Sequence, residues 1–140
     1  MPFIFLNYSN IFKYVQPIVA EATNKSIRAS SITFSQIEKS IGEWEKKKLY
    51  LNPDLTIAIV ASQISTNRTY LSSYLNTYRQ MTFNEWINRL RIEEAKNIIT
   101  ANKHVTLDDI CEEIGYADKS YFSKCFQRYT GMTVKQWKSI

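Results

Sequence analysis

The sequence predicts an all-α protein: two copies of a three-helix unit joined by a long helix, with a helical extension in front. Three observations carry that expectation. Gly and Pro number only three each in 140 residues, a balance that favours helix over β-sandwich in a chain rich in Ile, Leu, Lys, Glu and Tyr. From Leu55 onward apolar residues recur at helical spacing. Finally, Tyr78–Trp86 reads YRQMTFNEW and Tyr129–Trp137 reads YTGMTVKQW, with four of nine positions identical at an offset of 51 residues.

The elements follow in order. Ile4, Tyr8, Ile11 and Val15 are spaced as the apolar stripe of a helix that ends near Pro17. Residues 21–34 are polar and rich in Ser and Thr, which reads as a linker. Ser35 and Glu38 form a capping box for a helix with the stripe Ile37, Ile41 and Trp44, and Lys46, Lys47 and Lys48 suit its C-terminal dipole. Leu49 to Pro53 breaks it. Thr56 can cap a helix carrying Ile57, Val60, Ala61 and Ile64. Thr66 or Asn67 can cap the next, with Tyr70, Leu71, Tyr74, Leu75 and Tyr78 along its stripe. Thr82 and Glu85 open a long helix over 83–101, about 28 Å at the standard rise.

The pattern then starts again. Thr106 and Asp109 cap a helix carrying Leu107, Ile110, Cys111 and Ile114, ended by Gly115. Asp118 caps another, with Tyr121, Phe122, Cys125, Phe126 and Tyr129 expected inward. Thr133 and Gln136 open a last short helix through Trp137. Leu55-Thr56-Ile57 matches Val105-Thr106-Leu107 at an offset of 50, and Tyr70-Leu71-Ser72 matches Tyr121-Phe122-Ser123 at 51. The slip of one residue falls in a turn, where insertions belong. Each copy is therefore organised as a helix-turn-helix.

Charge narrows the function. The net charge is +5 and the pI about 9.2, which permits an anionic partner. The outward face of the second helix carries Arg68, Thr69, Ser72, Ser73 and Asn76 in the first copy. In the second copy it carries Lys119, Ser120, Ser123, Lys124, Gln127 and Arg128. Neither face has a carboxylate, whereas a merely solvated face normally mixes Glu with Lys. Hydroxyls, amides and cations suit phosphate oxygens and base edges. A helical module that docks an acidic protein on its basic face is the rival reading.

Other chemistries find little support. One histidine, His104, and two cysteines without a CxxC make a metal site poor, and the cysteines read as buried thiols in a reducing compartment. Ser72, Ser73 and Ser123 have no His or Asp arranged with them for nucleophilic catalysis. Glu93 and Glu94 are adjacent and point apart. Trp86 and Trp137 sit four residues after their Thr caps and read as core. No run of 18 apolar residues occurs, and the N-terminal stretch lacks the basic start and cleavage site of a signal peptide.

From Leu51 to Ile140 the chain resembles the AraC/XylS family of transcription regulators. The strongest part is Ile110–Trp137, ICEEIGYADKSYFSKCFQRYTGMTVKQW, which looks like the family's C-terminal signature. Arg89–Ile99, RLRIEEAKNII, resembles its linking helix. The resemblance implies a non-enzymatic, cytoplasmic transcription factor without a cofactor, its two recognition helices entering successive major grooves of double-stranded DNA. By position, the family's base-facing residues fall on Arg68, Thr69, Ser72 and Ser73, and on Lys119, Ser120, Ser123 and Lys124. RNA polymerase is the further partner it implies, and a homodimer would form through the extension or through a sensor domain outside this sequence.

The expected organisation is an extension and linker over 1–50 and a DNA-binding domain over 51–140. The latter divides into a first unit at 55–82, the linking helix at 83–101 and a second unit at 105–140. Fifty residues are too few for a sensor domain, so the chain reads as the end of a longer regulator. Residues 3–16 would pack on the domain, dimerise, or follow a sensor or membrane segment. Two departures stand out: Gln80 replaces the second copy's Gly131, and Ser65 replaces its Gly115. If those turns need positive φ, each non-glycine costs about 1 kcal/mol, or the turn differs.

Overall fold

The computed structural model describes residues 21–140, with side chains from Thr33 onward. The expected helix over residues 3–16 lies outside the described residues. Among the described residues seven α-helices follow one another: α1 (Glu21–Lys46), α2 (Ile57–Gln63), α3 (Arg68–Tyr74), α4 (Phe83–Ala101), α5 (Leu107–Ile114), α6 (Lys119–Thr130) and α7 (Val134–Lys138). A 3₁₀ turn covers Leu49–Leu51 and a π-helical turn covers Leu75–Arg79. No strand occurs among the described residues.

One expectation is corrected here. Residues 21–34 are helical, not a linker, and α1 runs unbroken through Ser35 to Lys46. No Gly or Pro falls between Ile18 and Ile41, so nothing in the backbone stops the helix. The Ser35/Glu38 pair therefore sits inside α1 rather than at its start.

The chain packs as two compact units. The first holds α1, α2 and α3 through Phe83, and the second holds residues 47–56 with residues 84–140. In the first, Ile37, Ile41 and Trp44 of α1 are buried along with Val60, Ala61, Ile64, Leu71, Tyr74 and Leu75. Trp44 Nε1 donates to Gln63 Oε1 at 2.7 Å, so α1 is pinned to the end of α2. Phe34 meets Tyr74 and Tyr78 edge-on, at 6.1 and 4.9 Å between centroids. Glu45 lies 3.8 Å from Arg79, whose Nε donates to the Tyr74 hydroxyl. The apolar stripe of α1 thus completes the core of the first helix-turn-helix.

In the second unit Ile92, Ala95 and Ile99 of α4 pack with Ile110, Cys111, Ile114, Phe122, Cys125 and Phe126. Both cysteines are free and buried, and burial pushes the Cys111 thiol pKa up. Trp137 meets Phe126 edge-on, with the Lys96 ammonium 5.2 Å from its ring. Arg91 is buried: its Nε donates to the Tyr50 carbonyl at 2.8 Å and its guanidinium to the Asn52 carbonyl at 2.6 Å. Lys48 and the buried Glu94 pair at 2.7 Å. These contacts tie residues 48–52 to α4, although that segment precedes the first helix-turn-helix in the chain.

Candidate nucleic-acid interface

Each unit presents its second helix through local caps. Asn67 accepts from the Tyr70 amide at 2.9 Å and starts α3. Asp118 accepts from the Ser120 and Tyr121 amides and starts α6. Thr106 and Asp109 form the reciprocal box at α5, as do Thr133 and Gln136 at α7.

The turns inside the two motifs are alike. The amide of Tyr116 bonds the Cys111 carbonyl around Gly115 at φ 83°, and the amide of Thr66 bonds the Ala61 carbonyl around Ser65 at φ 59°. Counted from the left-handed residue to the N-cap of the next helix, the first turn has three residues, Ser65 to Asn67, and the second has four, Gly115 to Asp118. Positive φ suits Gly115 twice over, because a Cβ there would stand 2.5 Å from the Leu51 carbonyl oxygen.

The joints after the recognition helices differ. Gly131, at φ 75°, bonds the Gln127 carbonyl four residues back. Gln80 takes φ 50° and bonds the Leu75 carbonyl five residues back, closing the π-helical turn. Both sequence alternatives are therefore realised: Gln80 is left-handed, and its turn is one residue wider.

The ten residues singled out in the sequence fall on open faces. On α3 and the π-turn, Arg68, Thr69, Ser73 and Asn76 are exposed and Ser72 half-buried, with Asn76 Nδ2 3.4 Å from Ser72 Oγ. On α6, Lys119, Ser120, Lys124 and Arg128 are exposed and Ser123 half-buried. Lys119 Nζ pairs with Asp108 Oδ1 at 2.7 Å, so an acid from α5 reaches this face. That pairing raises the Lys119 pKa and keeps it cationic. Arg128 lies 6.0 Å over the Tyr129 ring. Lys124 borders an open groove of about 420 Å³ that Lys135 and Lys138 also line.

Tyr121, expected inward, is instead half exposed, and so is Tyr70 on the matching stripe position of α3, each at 49%. A tyrosine's ring satisfies an apolar periodicity while its hydroxyl keeps it at the surface, so spacing alone does not separate the two cases. Among the described residues no three His, Cys, Asp or Glu side chains gather as a metal site, and no helix is long and apolar enough to cross a membrane.

Two capped helix-turn-helix motifs with open polar and basic second helices define a nucleic-acid-binding class of fold. A family model described as a helix-turn-helix domain matches residues 60–139. The chain belongs to that family, the AraC-type helix-turn-helix proteins. Among curated relatives it is 26% identical over 138 residues to Histidine kinase P4 of Formosa agariphila, a match covering 96% of this chain and 10% of that protein. It is 30% identical over 89 residues to the transcriptional regulatory protein YesN of Bacillus subtilis, covering 62% of this chain and 24% of that one. The C-terminal domain of AraT, a response regulator from Geobacillus stearothermophilus, shares the fold at a TM-score of 0.64 and 22% identity, over 74% of this chain and 84% of that one. The chain spans between a tenth and about half of the length of the first four such curated relatives.

Proposed function

We propose that this chain is the sequence-specific, double-stranded-DNA-reading part of a transcription regulator, and that it acts without enzymatic chemistry. The observation that carries the reading is the pair of open second-helix faces, which bear hydroxyls, amides and cations and no carboxylate of their own. Such side chains hydrogen-bond phosphate oxygens and the acceptors of guanine and adenine. On this reading residues 51–140 form the DNA-binding module and α1 supports its first unit. Arg68, Thr69, Ser72, Ser73 and Asn76 serve one groove, and Lys119, Ser120, Ser123, Lys124 and Arg128 serve the next.

The base contacts are unequal. Thr69, Ser72 and Ser73 are short, so the first reader leans on DNA shape and bridging water more than the second, which carries Lys119, Lys124 and Arg128. RNA polymerase is the second partner of a transcription regulator on this reading, and a second copy, met through the N-terminal extension or through a sensor domain outside this sequence, is the third. The compartment is the cytoplasm. The name of the YesN relative, a transcriptional regulatory protein, supports the regulatory role.

The test is selection of bound sequences from random duplex, followed by a gel-shift titration across salt. The expected result is an enriched motif with two half-sites about one turn apart, and an affinity that falls steeply as salt rises. An affinity indifferent to salt overturns the reading, and binding to an acidic protein without competition from duplex would replace it with the interaction-module alternative.

A further inference from the structure

We propose that Tyr121 is a DNA-backbone contact, its hydroxyl donating to a phosphate oxygen and its ring held in place by a hydrogen-bonded chain running from Tyr116 through Asn88. The inference rests on the DNA-reading function proposed above. The Tyr116 hydroxyl donates to Asn88 Oδ1 at 2.7 Å, and Asn88 Nδ2 donates to the Tyr121 hydroxyl oxygen at 3.0 Å. Tyr116 is buried, and that burial pushes its phenol pKa up, so it stays a donor. The chain therefore has one direction. Tyr116 uses its only proton on the amide oxygen, and the amide uses one of its own on Tyr121. The Tyr121 proton remains, and it has no acceptor among the described residues.

That proton stands at the reading surface. Tyr121 is half exposed on the third residue of α6, and Lys124 and Arg128 follow it three and seven residues later on one stripe of the helix. Its ring also packs against Tyr116 at 5.9 Å between centroids. The bond from Asn88 of α4 to its oxygen and the packing of its ring on Tyr116 restrain the side chain. A neutral donor fixed at the rim of a cationic stripe fits the phosphodiester oxygen, the acceptor present at every step of duplex.

The experiment measures the affinity of the whole chain for its selected duplex and for a random duplex of equal length, at several salt concentrations. Tyr121→Phe removes only the hydroxyl. The expected loss is about three- to tenfold on both duplexes, with the salt slope unchanged because no charge is altered. Asn88→Ala releases the ring and weakens both by less. The double variant is no worse than Tyr121→Phe alone, which marks Asn88 as a positioning residue acting through Tyr121. Thermal melts without DNA accompany each variant. Wild-type affinity in Tyr121→Phe overturns the inference and leaves the DNA-reading function standing. A loss confined to the selected duplex overturns it in favour of a base contact, and a loss matched by unfolding overturns it in favour of a purely structural tyrosine. Failure of the wild type to bind either duplex overturns the function and this contact with it.

Discussion

The two helix-turn-helix units perform one design with different tolerances. The second closes both of its special turns with glycine, at Gly115 and Gly131, and reads outward through Lys119, Lys124 and Arg128. The first places Ser65 and Gln80 in the same left-handed region, at φ 59° and 50°, and widens its exit into a π-turn. It also borrows a helix: Ile37, Ile41 and Trp44 of α1 are buried in its core, and Phe34 and Glu45 touch the segment around the strained exit. The second unit borrows a shorter piece, residues 48–52, held by Arg91 and Glu94. The difference teaches that a repeated motif need not carry its own support. The local pattern recurs, while the outside segment that buries its open side is specific to each copy.

Gly115→Ala should break the comparison most severely. The added Cβ meets the Leu51 carbonyl at 2.5 Å and also forces a left-handed alanine, so we expect a loss of about 3 kcal/mol or more in denaturant unfolding. Gly131→Ala, with open space around its Cβ, should cost only about 1 kcal/mol of strain. Equal losses would show that the close approach of Leu51 is unimportant.

Next in size is the contrast between matched reading positions. Lys124→Ala should weaken DNA binding by about 1–3 kcal/mol, and Ser73→Ala, its counterpart in the first unit, by less than about 1 kcal/mol. Competition with random duplex sorts the Lys124 effect: a uniform loss means a phosphate contact, a selective one a base contact. A larger loss at Ser73 would reverse the ranking of the two readers.

Smaller still, Gln80→Gly and Ser65→Gly should each stabilise by roughly 0.5–1 kcal/mol, since glycine removes the left-handed strain. A loss instead would mean that the side chain packs usefully enough to outweigh it. The smallest effect concerns Asp108, exposed and paired with the exposed Lys119. Asp108→Asn frees that lysine and should tighten DNA binding by a few-fold at most at low salt, fading as salt rises. Weaker binding in this variant would mean that the ion pair orients Lys119 rather than occupying it.

What could be read directly from the residues is what depends on near neighbours in the chain. The boundaries of α4, the caps at Asn67, Thr106, Asp118 and Thr133, and the left-handed Gly115 all rest on hydrogen bonds spanning six residues or fewer. The ten candidate contacts were legible as faces for the same reason: helical spacing assigns a side to each residue. The exposure of Tyr121 was not legible, because apolar periodicity places a ring without saying where its hydroxyl ends.

The sequence by itself determined an all-α chain, a duplicated motif, its one-residue slip and the polar character of its second helices, because those follow from local propensity and period. Tertiary structure alone decided that the apolar stripe of α1 completes the first core and that residues 48–52 serve the second unit. It also decided that Arg91 is a buried strut bonding two carbonyls some forty residues away, and that Ser65 and Gln80 accept a backbone glycine would prefer. Those outcomes depend on which distant groups meet. Burial of a shared core can hold an arginine out of water or a serine in a left-handed turn, because the packing around it contributes more than the single residue loses.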